Sequence, residues 1–161
     1  MNVTLQALAA FPAQLEANYA AFPTELVRWA PASWDGVPSE ALTALEQICH
    51  VRDIERDGYH VRIRRTLAEH EPVLASIDTD ALVVERGYAR EDSGAVLAAF
   101  RAARRETLAM ISDLSDEQLA RRATFEGYGP LTLRSLIHYL CSHDQQHLAG
   151  LQWLLGKAHA R

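Results

Sequence analysis

Leu140-Cys-Ser-His-Asp-Gln-Gln-His-Leu148 is the stretch on which the reading of this chain turns. Residues 131–155 around it contain no proline and repeat their apolar residues at intervals of three and four, which predicts one long helix. At about 100° per residue, positions four apart differ by only about 40° around the axis, so His143 and His147 point the same way. Both continue the apolar stripe Leu136, Leu140, Gly150, Leu154. Two imidazoles aimed into a helical core need a partner, and a metal ion suits both at once. With seven histidines in 161 residues, an i, i+4 pair alone is a common coincidence, so the pair gains weight only from a further ligand.

That ligand is expected from a second long helix over residues 39–71, which carries His50. On an unbroken α-helix His50 shares its face with Glu46, Asp53, Ile54, Asp57 and Val61. Acidic residues mixed with aliphatic ones suit the wall of a polar cavity better than a core surface. His50, His143 and His147 would give a site of three neutral imidazoles, with one or more positions left for water or substrate, the pattern of a catalytic metal site. Imidazole accepts zinc, nickel, iron and copper alike, so the residues require a divalent transition metal without choosing it. Asp53 is the expected catalytic carboxylate, either orienting an imidazole or acting as a base, with Asp57 on the same face. Asp144 reads as a solvated surface group. His60 and His138 point away from the site on their helices, and His70 and His159 lie near helix or chain ends.

The length fits one domain, residues 1–161, and an apolar content of 48% supports a true core. A net charge of −5 and a pI near 5.8 leave no basic footprint for nucleic acid. The first residues lack the basic and apolar blocks of a secretory signal, and no apolar run reaches the length of a bilayer span. With only two cysteines, Cys49 and Cys141, there is no disulfide framework, and both read as small packing residues. The expected setting is the cytoplasm, with no nucleic-acid or membrane partner.

Four main helices account for most of the chain: residues 4–21, 39–71, 93–114 and 131–155. Between them lie irregular connections at 22–38 and 77–92, a capping-box turn at Ser115-Asp-Glu-Gln118, and a glycine-rich loop at 122–130. No strand alternation of any length appears. The expected fold is all-α, an up-down bundle of four helices with long connections. A di-iron carboxylate bundle is disfavoured, because no helix carries the Glu-x-x-His pair such sites use.

In this order of elements, and in His50-Val-Arg-Asp-Ile-Glu55, Tyr128-Gly-Pro-Leu-Thr-Leu133 and His143-Asp-Gln-Gln-His147, the chain resembles the DinB-like (YfiT-like) superfamily of bacterial four-helix-bundle metalloproteins. The resemblance covers nearly the whole chain. It implies that His50, His143 and His147 are the metal triad, and that the protein is a homodimer. Relatives of this kind join small thiols such as bacillithiol to electrophiles, or are mycothiol-dependent isomerases. The expected activity is therefore a metal-dependent transfer of a low-molecular-weight thiol to a small electrophile. The alternatives are a metal-dependent hydrolase and a helical module that binds a metal or small ligand without turnover. The interval from Trp34 to His50 is longer than in the more familiar members, and is a candidate border of the cavity.

Overall fold

A computed structural model describes residues 1–160. Its long helices are α1 (Asn2–Ala20), a composite second helix, α5 (Ser93–Ile111) and α7 (Leu133–His159). The composite helix begins at α2 (Ala44–Asp53), continues through a π-helical segment (Ile54–Tyr59) and finishes as α3 (His60–Ala68). It starts later than residue 39, because Thr43 and Glu46 form a capping box that fixes the first turn there. A short α4 (Thr79–Arg86) lies in the second connection, capped by Asp78 and stopped by Gly87 in the left-handed region at φ +59°. One further turn, α6 (Asp116–Leu119), carries the capping box expected at Ser115.

The chain makes the all-α bundle expected of it, and its helices run up, down, down and up rather than in strict alternation. Thr4 meets His138, and Asn18 meets Gln152, so α1 and α7 are parallel. Gln47 meets His147 and His50 meets His143, so α2 runs against α7. Glu55 meets Arg104 and His60 meets Thr107, so the composite helix and α5 run together. Short loops force antiparallel neighbours, whereas connections of this length let consecutive helices take diagonal places.

Where residues 122–130 read as a loop, the chain forms a small sheet: β1 (Val73–Leu74), β2 (Arg122–Phe125) and β3 (Gly129–Thr132), in that order. β1 pairs parallel to β2, and β2 pairs antiparallel to β3. Strands of two and four residues are too short for alternation to stand out. The β2–β3 turn depends on Gly127 and Gly129, at φ +83° and +81°.

The apolar core falls into two clusters. One gathers Phe11, Leu45, Ile48, Phe100, Leu151 and Leu154; the other gathers Leu8, Ile63, Ile111, Leu133, Leu136 and Leu140. Along every core helix but α1, polar residues separate the two: His50, Asp53 and Glu55, then Arg104 and Thr107, then Asp144 and His147, all buried. A polar layer thus crosses the middle of the bundle. Leu151 and Leu155 of α7 lie in this core.

Candidate metal centre

His143 and His147, one turn apart on α7, face His50 on the antiparallel α2. The three rings present their Nε2 atoms to one another: His143 Nε2 lies 3.1 Å from that of His50 and 3.1 Å from that of His147. Nitrogens bound at about 2.0–2.1 Å around a zinc-sized ion lie roughly 3.3 Å apart at tetrahedral angles, so the spacing suits a shared ion. His147 is oriented from behind by Gln47, whose Oε1 accepts from Nδ1. With that proton on Nδ1, the Nε2 lone pair is left for the cluster.

Sequence reasoning missed a fourth donor. Glu40 lies ahead of the helix, in a segment without periodicity, yet its Oε2 comes within 3.3 Å of His147 Nε2 and its Oε1 within 3.8 Å of His50 Nε2. The donor atoms of Glu40, His50, His143 and His147 all lie within 4.8 Å of one another. Two contacts deliver the carboxylate. Trp34 stacks on Trp153 of α7 with ring centres 6.0 Å apart, and the Ser39 hydroxyl accepts from Gln47 Nε2 at 2.8 Å. The only sequence signal was the length of the interval from Trp34 to His50.

Gly150 makes that second contact possible. A Cβ there would stand 2.2 Å from Ser39 Oγ and 2.8 Å from Gln47 Nε2. Gly150→Ala is therefore expected to cost about 1–3 kcal/mol of stability by overpacking. Because Gln47 orients His147, metal affinity should also fall about 10–100-fold. Urea denaturation in chelator and a competition titration with a chromophoric chelator read the two effects, and a variant matching wild type in both would refute this coupling.

The donor set fits a cation. Burial lowers the pKa of all three histidines: His143 and His147 fall well below the ordinary value, pushed further by neighbouring imidazoles, whereas Glu40 and Asp53 partly restrain the fall at His50. Three neutral rings then converge through their Nε2 atoms, and Glu40 Oε2 is buried without a hydrogen-bond partner among the described residues. A divalent ion would satisfy all of these atoms.

The same shifts set a pH dependence. A histidine whose folded pKa lies below about 6.5 takes up its proton more readily in the unfolded chain. Its contribution to stability is complete above pH 6.5 and is lost as pH falls, by up to about 1.4 kcal/mol per unit for each ring. Asp144 acts oppositely: burial raises its carboxyl to about 7, so folding is favoured as it protonates below that pH. Three rings outweigh one carboxyl. In chelator the protein should remain helical, since the apolar clusters need no metal, while its urea midpoint falls from pH 7 to pH 5. A midpoint that holds or rises over that range would contradict the assignment of neutral, buried rings.

The acidic residues read from sequence are placed differently. Asp53 is 1% exposed and fully engaged: Arg52 grips it at 2.7 and 3.0 Å, Tyr88 Oη donates at 2.8 Å, and Arg86 Nη1 lies at 2.9 Å. Burial alone would raise its pKa, but the hydrogen bonds from Arg52 and Tyr88 hold it below the usual carboxylate range. Asp53 is thus turned to Arg52, Tyr88 and Arg86, and among the described residues it makes no hydrogen bond to an imidazole. Asp57 is exposed and paired with Arg86 at 2.6 Å. Asp144, far from being solvated, is 1% exposed and accepts from Arg104 at 2.7 and 3.0 Å. Arg104 also holds Glu55 at 2.6 and 2.9 Å and the Leu8 carbonyl at 3.0 Å. His60 bonds Thr107 at 2.8 Å, away from the cluster, and His138 is exposed.

The π-helical segment explains why Asp57 and Val61 leave the site face. One wider turn carries an extra residue and rotates everything beyond it. Tyr59 at its end and Arg62 beyond it reach the site in place of Asp57 and Val61. Together with Glu40, His50, His143 and Tyr128 they line a small cavity of about 100 Å³ beside the imidazoles. Neither cysteine can serve as nucleophile there. Burial drives the Cys49 thiol up to about 12 and raises Cys141, and neither lines the cavity.

The family model described as the DinB superfamily matches residues 7–151. Among solved structures, YfiT from Bacillus subtilis, described as "a probable metal-dependent hydrolase with an unusual four-helix bundle topology", aligns with a TM-score of 0.80. The alignment covers 95% of this chain and 84% of that one at 19% identity, and at that identity it establishes the fold alone. No curated protein matches the chain.

Proposed function

The chain belongs to the DinB superfamily, and from that membership we propose a metal-dependent enzyme whose ion is held by His50, His143 and His147, with Glu40 beside it. Its reaction is the transfer of a low-molecular-weight thiol to a small electrophile. When bound, a divalent ion lowers the pKa of a thiol or water at its open position, so a nucleophile is available at neutral pH.

The chain's own residues supply the rest. Gln47 keeps the Nε2 lone pair of His147 directed into the site, while Arg104 fixes α7 through Asp144 beside His143. Glu40, partly exposed and placed at the imidazoles, is the carboxylate positioned to accept the proton a nucleophile gives up. Tyr59, Ile54, Ile77 and Phe125 line the cavity with apolar surface suited to an alkyl group. The observation that carries the reading is the convergence of three imidazole nitrogens and an orphaned carboxylate oxygen beside a cavity that His50, His143 and Glu40 line and no cysteine does.

The hydrolase reading is the second, and the description of YfiT favours it. Cobalt substitution separates the two. Under the first reading, small thiols add intense sulfur-to-metal absorption in the near ultraviolet. If thiols leave the spectrum unchanged while an ester or amide is cleaved only in the loaded protein, hydrolysis replaces transfer.

A further inference from the structure

Among the described residues three arginines are buried: Arg52, Arg62 and Arg104. Arg52 is paired with Asp53, and Arg104 with Glu55 and Asp144. Arg62 differs. At 5% exposure it has no carboxylate within ion-pair distance among the described residues. Its Nε and Nη2 clasp the Ala75 carbonyl at 3.2 and 3.0 Å, and Nη1 makes no hydrogen bond with any described residue. The guanidinium lies 4.4 Å over the Phe125 ring and 5.3 Å from that of Tyr59. Those aromatic faces offset part of its charge and leave its edge for a planar partner.

Its position is equally specific. Arg62 lines the same cavity as His50, His143 and Glu40. It stands near enough to His143 to contribute to that ring's lowered pKa. Gly58 leaves room for it, since a Cβ there would lie 2.8 Å from Nη1 and 3.3 Å from Cζ. A buried cation that lacks a counter-ion, in the wall of a cavity beside a metal cluster, is a recognition element for an anion. In a cavity of about 100 Å³, the planar, compact anion that fits is a carboxylate.

We propose that Arg62 selects a co-substrate bearing a carboxylate, which it holds while the reacting atom sits at the imidazoles. This rests on the thiol-transfer reading only for the identity of the reacting atom. It thus assigns a class: a small thiol whose carboxylate lies a few bonds from its sulfur.

The test uses the cobalt-loaded protein titrated with 3-mercaptopropionate and with 2-mercaptoethanol, reading the sulfur-to-cobalt absorption. Wild type should prefer the carboxylate-bearing thiol by about tenfold or more, relative to Arg62→Gln, the comparison cancelling the intrinsic difference between the thiols. Gly58→Ala, which pushes the guanidinium aside while keeping its charge, should also reduce the preference. It replaces Arg62→Gln as the reference if that variant does not hold cobalt. A preference unchanged in the variants, with cobalt content and helicity intact, overturns the proposal. If neither thiol gives the band, the thiol reading fails, and Arg62 is judged with propionate against propionamide by the cobalt visible bands. Preference for propionate that depends on Arg62 upholds the anion site without the thiol, and its absence overturns the site.

Discussion

His143→Ala is expected to purify with almost no bound metal, and to bind added zinc or cobalt more than about a hundredfold more weakly than wild type. His143 is the hub of the cluster, 3.1 Å from both other imidazole nitrogens, so its removal takes a ligand from the centre rather than the edge. Structural zinc sites gain about 10–16 kcal/mol from four ligands, or roughly 3 kcal/mol for each, which is the origin of the hundredfold figure. The exposed His138 is the control, and His138→Ala should retain full metal content. His60→Ala should lose some stability with its Thr107 contact, but keep its metal. Elemental analysis of protein purified without an affinity tag reads all of these. Normal metal content in His143→Ala would mean that the ion sits elsewhere.

The largest effect on stability should come from Arg104→Ala. Arg104 is 1% exposed and neutralises two carboxylates, Glu55 and Asp144, that are themselves 1% exposed. Taking away the shared cation strands both in the interior, which typically costs about 3–5 kcal/mol. In a domain of this size that is roughly 10 °C in Tm. The deficit should shrink toward pH 5, because protonation relieves the stranded charge and Asp144 already titrates near 7 in the intact protein. A variant that melts within a few degrees of wild type at pH 8 would show that the triad is not a closed ion network. Arg104→Met, which fills the space without the charge, should fare no better while the carboxylates remain.

The parts of this protein legible in the sequence are those that a helix repeats. The i, i+4 spacing sets His143 and His147 on one face. Features that depend on contacts between elements were not legible. The surroundings of Asp53 and Asp144 were not legible because their partners, Arg86, Tyr88 and Arg104, come from other segments. Glu40 was missed because it precedes the capping box at Thr43, where no periodicity gives it a direction. The π-helical turn has no periodic signature, and so the face drawn for residues 57–61 was wrong, whereas His50, upstream of it, lies with Glu40, His143 and His147. The helix directions depended on the paths of two long connections, which local pattern does not encode.

That wide turn also divides the site into two inheritable halves. Every imidazole of the cluster lies upstream of it or on α7, while Tyr59 ends it and Arg62 lies downstream. Deleting a single residue within 54–59 would restore ordinary winding and swing the downstream half by about 100°, replacing the cationic wall with another set of side chains and leaving the imidazoles untouched. A lineage could exchange its substrate in one mutational event while keeping its metal, so the length of this segment, more than its composition, is the variable along which selectivity can evolve.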